Sequence, residues 1–450
     1  MKYIKKFDSH TDYNTYITNT KNLPNVSLCR NDNEEHVHFN PKDYSKEYLT
    51  TVARENGTIS FNIHKSMGTD MITSISYSTD DGETWTTTAN QDNKEEHLVI
   101  DVNVNTGNKV LWKGIANQLG YNDEDDYGDY VGSFFSSDCE FDTKGNVMSL
   151  LYGDNFKGQT TIEENGAFCC LFHDYDGEKS CSIVNAKDMS LPATTLTNAC
   201  YYYMFQNCTS LVNAPQLNAT TLASDCYSGM FQGCTSLTNA PELSATTLAF
   251  GCYNGMFRNC TLLVNAPSIL LATTLHDYCY RSMFEGCTSL TTAPELPATT
   301  LEANCYQSMF EGCTSLTTAP ELPATTLAQN CYKDMFKRCT ALTTAPELPS
   351  TTLVSYCYSD MFSYCTSLVT APELPATTLV SNCYYYMFNG CTSLNYIKAM
   401  FTTTPSSGYT NNWVQNVAAT GTFVKNSAAQ WDVTGVHGIP SGWTVQTASE

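Results

Sequence analysis

The residues best suited to chemistry lie in the amino-terminal half of the chain. Ser78-Thr-Asp-Asp-Gly-Glu-Thr-Trp85 fits the pattern S-x-D-x-G-x-T-W. Asp80 can accept backbone hydrogen bonds, Gly82 can take a positive φ, and Trp85 can pack beneath the turn. Only one copy occurs and no arginine cluster lies near it, so the pattern predicts a β-hairpin turn rather than an active site.

Two other stretches could hold a metal ion. The carboxylates of an acidic stretch could bind a hard cation such as calcium, although their spacing does not match an EF-hand: Asp123, Asp125, Asp126 and Asp129. His36 and His38 would share one face of a strand, with Glu34 near them. We favour a solvated acidic loop and a surface strand over metal sites, and we expect no cofactor.

Motifs of catalysis are missing from the sequence. We find no phosphate-binding glycine loop, no G-x-S-x-G elbow, no H-E-x-x-H pair, and no cysteine with an evident histidine partner. The sequence therefore predicts a non-enzymatic protein without catalytic residues.

The centre of the chain is an internal repeat of 26 residues. The unit reads C-Y-x2-M-F-x2-C-T-S-L-x2-A-P-E-L-P-A-T-T-L-x3, and one interval has an extra residue at Ser268-Ile-Leu-Leu271. Its eight copies are aligned on the second cysteine, at Cys208, Cys234, Cys260, Cys287, Cys313, Cys339, Cys365 and Cys391. Such a period predicts a solenoid, because one unit cannot cover its own apolar stripe.

Each unit contains two kinds of local pattern. Cys305, Met309 and Cys313 follow one another at intervals of four, which predicts a short two-turn helix with one buried face. Leu316 to Leu322 and Thr325 to Leu327 predict short extended pieces that prolines interrupt. We interpret the repeat cysteines as reduced core residues, since their number is odd over the chain and C-x7-C is not a zinc spacing.

Stacked units would also align their exposed residues. Two columns of variable residues flank Met-Phe and are either a recognition surface or unconstrained solvent positions: Tyr202, Tyr203, Arg258, Arg281, Lys333, Lys337, Arg338, Tyr364, Tyr385 and Tyr386. One column of carboxylates is either screened by solvent or a groove for cations or a basic partner: Glu242, Glu295, Glu321, Glu347 and Glu373.

Charge and hydropathy exclude some partners. The net charge of -22 repels phosphate backbones, so nucleic acid is a poor partner. No apolar run is long enough to span a bilayer, and residues 1–8 do not resemble a signal peptide, so we expect synthesis in the cytoplasm without membrane insertion.

The segments around the repeats differ from them in pattern. Strand signals over Thr58–Ile63, Ile72–Tyr77, His97–Val104 and Val110–Gly114 predict a β-sandwich-like domain. The tail carries three tryptophans and suits a cap. We predict an α+β chain with these parts: an anchoring segment 1–48, the sandwich-like domain 49–185, a solenoid of eight coils 186–400, and a carboxyl-terminal cap 401–450.

The repeat resembles a known family. Met309 to Pro320, MF-x-G-C-T-S-L-T-x-A-P, is similar to the BspA-type leucine-rich repeats of bacterial surface proteins. Ala-Pro replaces the usual aliphatic strand positions, and each coil has a few extra residues. The resemblance implies a leucine-rich-repeat solenoid that binds or adheres to surfaces.

The opening of the chain resembles a second group. Lys5-Lys-Phe7 and Leu23-Pro-Asn-Val-Ser27 are similar to the amino-terminal segment of predicted virion proteins from gut Bacteroidales phages. We therefore expect a phage head or tail accessory protein on the virion surface. Its expected partners are a host-surface protein or glycan, other virion proteins through residues 1–48, and further copies of itself. A bacterial cell-surface adhesin is the alternative, and a glycan-active enzyme, suggested by sialidases that share the Ser78–Trp85 pattern, is a remote one.

Overall fold

The structure is a computed structural model, and it describes residues 43–448 apart from 93, 124–128, 176 and 178. It also gives the backbone of an antiparallel sheet of order β1-β3-β2, formed by β1 (Ile4–Lys5), β2 (Leu28–Asn31) and β3 (Glu34–Phe39). Most of the predicted anchoring segment 1–48, and the side chains of His36 and His38 on β3, lie outside the described residues.

The part that follows consists of strands and one short helix. Its elements are β4 (Leu49–Ala53), β5 (Gly57–Ile63), β6 (Ile72–Ser78), β7 (Thr86–Ala89), β8 (Leu98–Val104), β9 (Lys109–Ala116), β10 (Gly120–Asp123), β11 (Asp129–Gly132), β12 (Phe134–Ser137), β13 (Phe141–Asn146), α1 (Ser149–Tyr152) and β14 (Ile183–Ser190). The four predicted strands are confirmed as β5, β6, β8 and β9. No closed barrel forms among the described strands.

Two sheets meet in this amino-terminal part. One has three strands in the order β12-β5-β8, and the other has six in the order β14-β13-β4-β9-β6-β7. The fully buried ring of Trp112 lies between them, 6.3 Å from Phe61 and 5.2 Å from Phe135 between centroids. Its Nε1–H donates to Thr51 Oγ1 at 3.1 Å, so this buried polar group has a hydrogen-bond partner.

The last strand of the larger sheet leads into the repeats. β14 pairs in parallel with β13, and Asn185 on β14 forms a parallel bridge with Asn213 of the first repeat. The predicted boundary at residue 185 falls inside β14, and the domain limits remain predictions. Among the described residues no helix is both long and apolar enough to cross a membrane.

The repeats contain a chain of turns where a helix was predicted. From 191 to 400, where every residue is described, none is helical. We call the segment before the second cysteine of each coil the turn ribbon. In a central coil it runs over 304–313. The predicted two-turn helix is wrong, although the side chains that it placed inside, such as Met309 and Cys313, are fully buried.

Backbone hydrogen bonds explain the turn ribbon. The amides of Tyr306, Ser308 and Phe310 donate to carbonyls of the next coil at 3.1, 2.8 and 2.9 Å. The amides of Gln307 and Met309, which alternate with them, donate to the carbonyl three residues back, both at 3.2 Å. Every amide of this stretch is therefore satisfied, but half of them only by a neighbouring coil.

A left-handed residue at every fourth position keeps the turn ribbon from becoming a helix. In the central coil these are Asn304, Ser308 and Gly312, with φ of 58°, 54° and 74°. Glycine and asparagine adopt this conformation at low cost, whereas an α-helix excludes it. These residue types are also weak helix formers, so the local preference agrees with the pairing between coils.

Two ladders of aromatic rings run through the core. Tyr306 stacks on Tyr332 at 5.9 Å, and Phe310 stacks on Phe336 at 5.7 Å with 5° between the planes. The Tyr ladder is formed by Tyr201, Tyr227, Tyr253, Tyr280, Tyr306, Tyr332, Tyr358 and Tyr384, and the Phe ladder by Phe205, Phe231, Phe257, Phe284, Phe310, Phe336, Phe362 and Phe388. Offset parallel rings at this separation attract one another and bury large areas.

The side of the coil away from the turn ribbon is extended. Single parallel bridges join equivalent residues of successive coils, such as Thr318 to Thr344 and Thr300 to Thr326. The predicted short extended pieces are therefore confirmed. Their pairing stays this narrow because prolines interrupt each piece.

The coil-to-coil pairing continues into the tail. A parallel sheet of order β15-β16-β17 contains β15 (Tyr396–Ala399), β16 (Thr422–Lys425) and β17 (Thr444–Thr447). The amide of Phe388 donates to Trp413 O at 2.8 Å, as it would to a further repeat. The indole of Trp413 then closes both ladders, 6.2 Å from the Tyr384 ring and 6.1 Å from the Phe388 ring.

Substitution of Asn259 tests whether its position requires a left-handed backbone. Its φ is 60°, and its side chain makes no hydrogen bond within the described residues. We expect Asn259→Val to lower the free energy of unfolding by about 1–2 kcal/mol relative to Asn259→Gly, because a β-branched residue is strained there. Urea unfolding of both variants measures the difference. Equal stability of the two would contradict a left-handed residue at this position.

Candidate binding groove

The predicted recognition residues all lie on one side of the turn ribbon. They occupy the second, third, sixth and seventh positions after the first cysteine of a coil, and we call the surface that these positions form the variable face. Their side chains are exposed or half-buried, whereas the cysteine, tyrosine, methionine and phenylalanine between them point into the core. The side chains of the variable face can therefore differ without disturbing the core.

Three of the predicted residues come together in one groove. Tyr203, Arg258 and Arg281 belong to the first, third and fourth coils and line a surface groove of about 190 Å³. The remaining lining is polar and is not among the predicted site residues: Ser228, Gln232, Asn254, Gly255, Ser282, Glu285 and Ser308. The volume is below the roughly 300–1,000 Å³ of pockets for drug-sized ligands.

Two left-handed glycines create the groove. Gly229 and Gly255 occupy the third position in consecutive coils, with φ of 58° and 60°. A Cβ on Gly229 would lie 2.0 Å from Tyr203 Cε1, so the Tyr203 ring rests on this glycine and walls one end. A Cβ on Gly255 would meet nothing nearer than Gln232 Oε1 at 3.7 Å, so the space above Gly255 is open.

The two arginines of the groove have different partners. Arg258 Nη2 donates to Glu285 Oε1 at 2.8 Å, and this ion pair is partly exposed. The Arg281 guanidinium lies over the Tyr278 ring, 5.5 Å from its centroid. Within the described residues Arg281 forms no ion pair. A cation–π contact leaves the N–H edge of a guanidinium available for another acceptor.

Lys333, Lys337 and Arg338 form a second group further along the variable face. Lys337 Nζ contacts Asp334 Oδ1 at 2.8 Å and Glu311 Oε1 at 3.7 Å. Burial by itself lowers the pKa of Lys337, but the Asp334 and Glu311 carboxylates outweigh burial, and the pKa is raised above its usual value. Burial raises the pKa of Glu311, against the effect of Lys337. The charges of this group are therefore largely compensated, and Arg338 remains exposed beside them.

Tyrosines form a third group near the end of the repeats. The rings of Tyr385 and Tyr386 are 4.5 Å apart, and Asn412 Nδ2 donates to the Tyr386 hydroxyl at 2.7 Å. Tyr364 lies over Gly390, whose Cβ would come within 2.7 Å of the ring. Tyr202, by contrast, lies beside Tyr203 at the opposite end of the repeats, with ring centroids 4.0 Å apart and 39° between the planes.

The predicted acidic column is exposed along its whole length, at Glu242, Glu295, Glu321, Glu347 and Glu373. Glu373 Oε2 accepts from Lys398 Nζ at 3.0 Å. The other four glutamates form no ion pair within the described part of the chain.

The Ser78–Trp85 stretch closes the hairpin between β6 and β7. Asp80 Oδ1 accepts from the Thr84 amide at 2.9 Å, and the Gly82 amide donates to Ser78 Oγ at 2.9 Å. Hydrogen bonds from Thr84 and Ser78 lower the pKa of Asp80 to about 2. The predicted turn is confirmed, and the carboxylate is committed to it.

The acidic stretch that was weighed as a metal site is only partly described. Asp123 and Asp129 pair as the last and first residues of β10 and β11. Their side chains, together with Asp125 and Asp126, lie outside the described residues. Among the described side chains, no three carboxylate, imidazole or thiol groups are placed to hold a metal ion.

The repeat cysteines are buried free thiols, as predicted. The Sγ of Cys339 donates to Phe310 O of the preceding coil at 3.0 Å, and the equivalent contact recurs along the repeats. Burial raises the pKa of the Cys331 and Cys391 thiols to about 12 in each case. Such thiols stay protonated and are poor nucleophiles.

Sequence reasoning did not find most of the groove. Gln232, Asn254 and Glu285 have no unusual neighbours in sequence, and they meet only because coils stack. One signal was available, since Gly229 and Gly255 leave the third position without a side chain in two consecutive coils, between Tyr203 and Ser282.

Asp225 directly precedes Cys226, and its burial makes the stability of the protein depend on pH. Burial raises its pKa to about 6 from the usual 3.8. The folded state holds this proton more tightly, so Asp225 destabilises the protein increasingly as pH rises from about 4 to about 6. We expect Asp225→Asn to raise the urea midpoint at pH 7 and to leave it nearly unchanged at pH 4. A variant less stable at pH 7 than the parent would contradict this.

Comparison with known proteins agrees with the repeat. The model of the BspA type leucine rich repeat region matches in six copies, over residues 179–317 and 278–417. These ranges together cover more than half of the 450 residues. Searches of curated proteins and of solved structures gave no match. The predicted resemblance of the repeat is confirmed, and the chain belongs to the BspA-type leucine-rich-repeat family.

Proposed function

We propose that the protein is a non-enzymatic binding protein that attaches to a surface through its variable face. The observation that carries this proposal is the groove between Tyr203 and Arg281, in which side chains from several coils converge on one open space. Membership in a family whose repeats are consistent with surface binding supports it. The turn that holds the Asp80 carboxylate and the burial of the repeat thiols also favour binding over catalysis.

The framework that we propose has eight complete coils with a cover at each end. Pairing by turn ribbons extends beyond the eight sequence copies, because the Phe172 amide donates to Met204 O and the Phe388 amide donates to Trp413 O, both at 2.8 Å. At one end the partner belongs to the sandwich-like part, and at the other it belongs to the tail. Covered ends suit a protein that presents its side rather than its ends to a partner.

For the biological setting we propose a phage virion accessory protein, displayed on the virion surface and anchored to other virion proteins by residues 1–48. The similarity of the amino-terminal segment to phage virion proteins motivates this. A bacterial cell-surface adhesin is the alternative, favoured by the repeat family. Mass spectrometry of purified virions and of bacterial surface fractions separates them, because the leading proposal requires the protein in virions.

Attachment can be measured with the full-length chain. We expect labelled protein to be retained on immobilised intestinal mucin or on gut bacterial cells. Combining Arg258→Ser, Arg281→Ser, Tyr364→Ser and Tyr385→Ser should reduce retention at least about tenfold, because arginine and tyrosine contribute most of the energy of many interfaces.

The acidic column supplies the matched control. Combining Glu295→Gln, Glu321→Gln and Glu347→Gln changes exposed side chains on another side of the same solenoid and should leave retention unchanged. Circular dichroism confirms that both variants fold. Retention that falls only in the glutamine variant, or that is equal in all three proteins, would contradict a role of the variable face.

A further inference from the structure

The groove is a site of positive charge on an acidic protein. Of its charged residues, Arg258 and Glu285 neutralise each other at 2.8 Å. Arg281 therefore leaves the groove with an excess of one positive charge, whereas the whole chain carries -22. A cation of this kind, held over an aromatic ring without a carboxylate partner in the described structure, suits an anionic group of a ligand.

The rest of the lining suits hydroxyl groups. The side-chain amides of Gln232 and Asn254 make no hydrogen bond among the described residues, so each offers both donors and an acceptor. Ser282 also lines the groove, and the Tyr203 ring forms the end wall. A ligand that used these groups would itself be rich in hydroxyls and would need little apolar surface.

Size and shape restrict the ligand further. A volume of about 190 Å³ admits one ring and its substituents rather than an extended segment of protein. Peptide recognition relies on apolar pockets or on a free strand edge, and the polar walls of this groove provide neither. Carboxylate, hydroxyl and ring occur together in a sugar acid.

We propose that the groove binds a terminal sugar that carries a carboxylate. Arg281 pairs with the carboxylate, Gln232 and Asn254 hydrogen-bond to the hydroxyls, and Tyr203 limits the groove at one end. The inference rests on the proposed surface attachment and names its ligand class. Because Arg258 is already paired with Glu285, Arg281 is the residue that distinguishes an acidic sugar from a neutral one.

Titration calorimetry on the full-length protein tests this with sialyl-lactose, glucuronic acid and neutral lactose. We expect the acidic sugars to bind at least about tenfold more tightly than lactose, which is the ratio that one charge-assisted hydrogen bond supplies. Arg281→Gln should abolish this preference. Arg54→Gln, which removes a partly exposed arginine of the amino-terminal part outside the variable face, should retain it.

Further results distinguish failure of the proposed sugar ligand from failure of the proposed surface attachment. Tyr203→Ala should weaken binding of the acidic sugars even though it removes no charge. Equal affinity for lactose and the acidic sugars, a preference that survives Arg281→Gln, or absence of sugar binding at millimolar concentration overturns the sugar acid. Equal or tighter binding of a glutamate-rich peptide also overturns it. In each of these cases, loss of mucin or cell retention in the variable-face variant would still support attachment.

Discussion

The pairing of turn ribbons between coils is the constraint on which the structure depends. Alternate amides, such as those of Tyr306, Ser308 and Phe310, have their acceptors in the next coil. A coil without a neighbour would leave these amides unpaired and would expose its part of both ring ladders. Unpaired backbone groups and exposed rings each cost free energy. The coils therefore stack in one register, in which ring lies on ring and the thiol of each second cysteine contacts a carbonyl of the preceding coil.

This constraint also separates the core from the surface. Core residues are fixed by the pairing, whereas side chains of the variable face can differ, even at its left-handed positions such as Tyr203 and Arg338. The groove arises where Gly229 and Gly255 remove two side chains from this face and Tyr203 folds over the first of them. The same backbone carries a compensated charge group at Lys337 and a cluster of tyrosines further on. Different chemistry can thus be displayed on one framework, as a binding protein requires.

The sequence predicts the period, the stacked architecture and the buried residues, because these follow from the spacing of apolar side chains. It does not distinguish a helix from a turn ribbon, since both bring residues four apart, such as Cys305 and Met309, to one side. The recurrent Gly, Asn, Asp and Ser at every fourth position was the available signal against a helix. Tyr203, Arg258 and Arg281 are recognisable in the sequence as variable residues. Their convergence is not, because it depends on contacts between coils and on the pairing of Arg258 with Glu285.

Deleting whole or partial coils tests the stacking most directly. Removing residues 313–338 joins Gly312 to Cys339 and restores the repeat, whereas removing 313–325 joins Gly312 to Thr326 and breaks it. We expect the first variant to unfold cooperatively in urea with the parent's circular dichroism, and the second to lose its ordered core. If both variants fold equally well, or if the whole-coil deletion fails as completely as the partial one, the coils are not interchangeable layers and the account is contradicted.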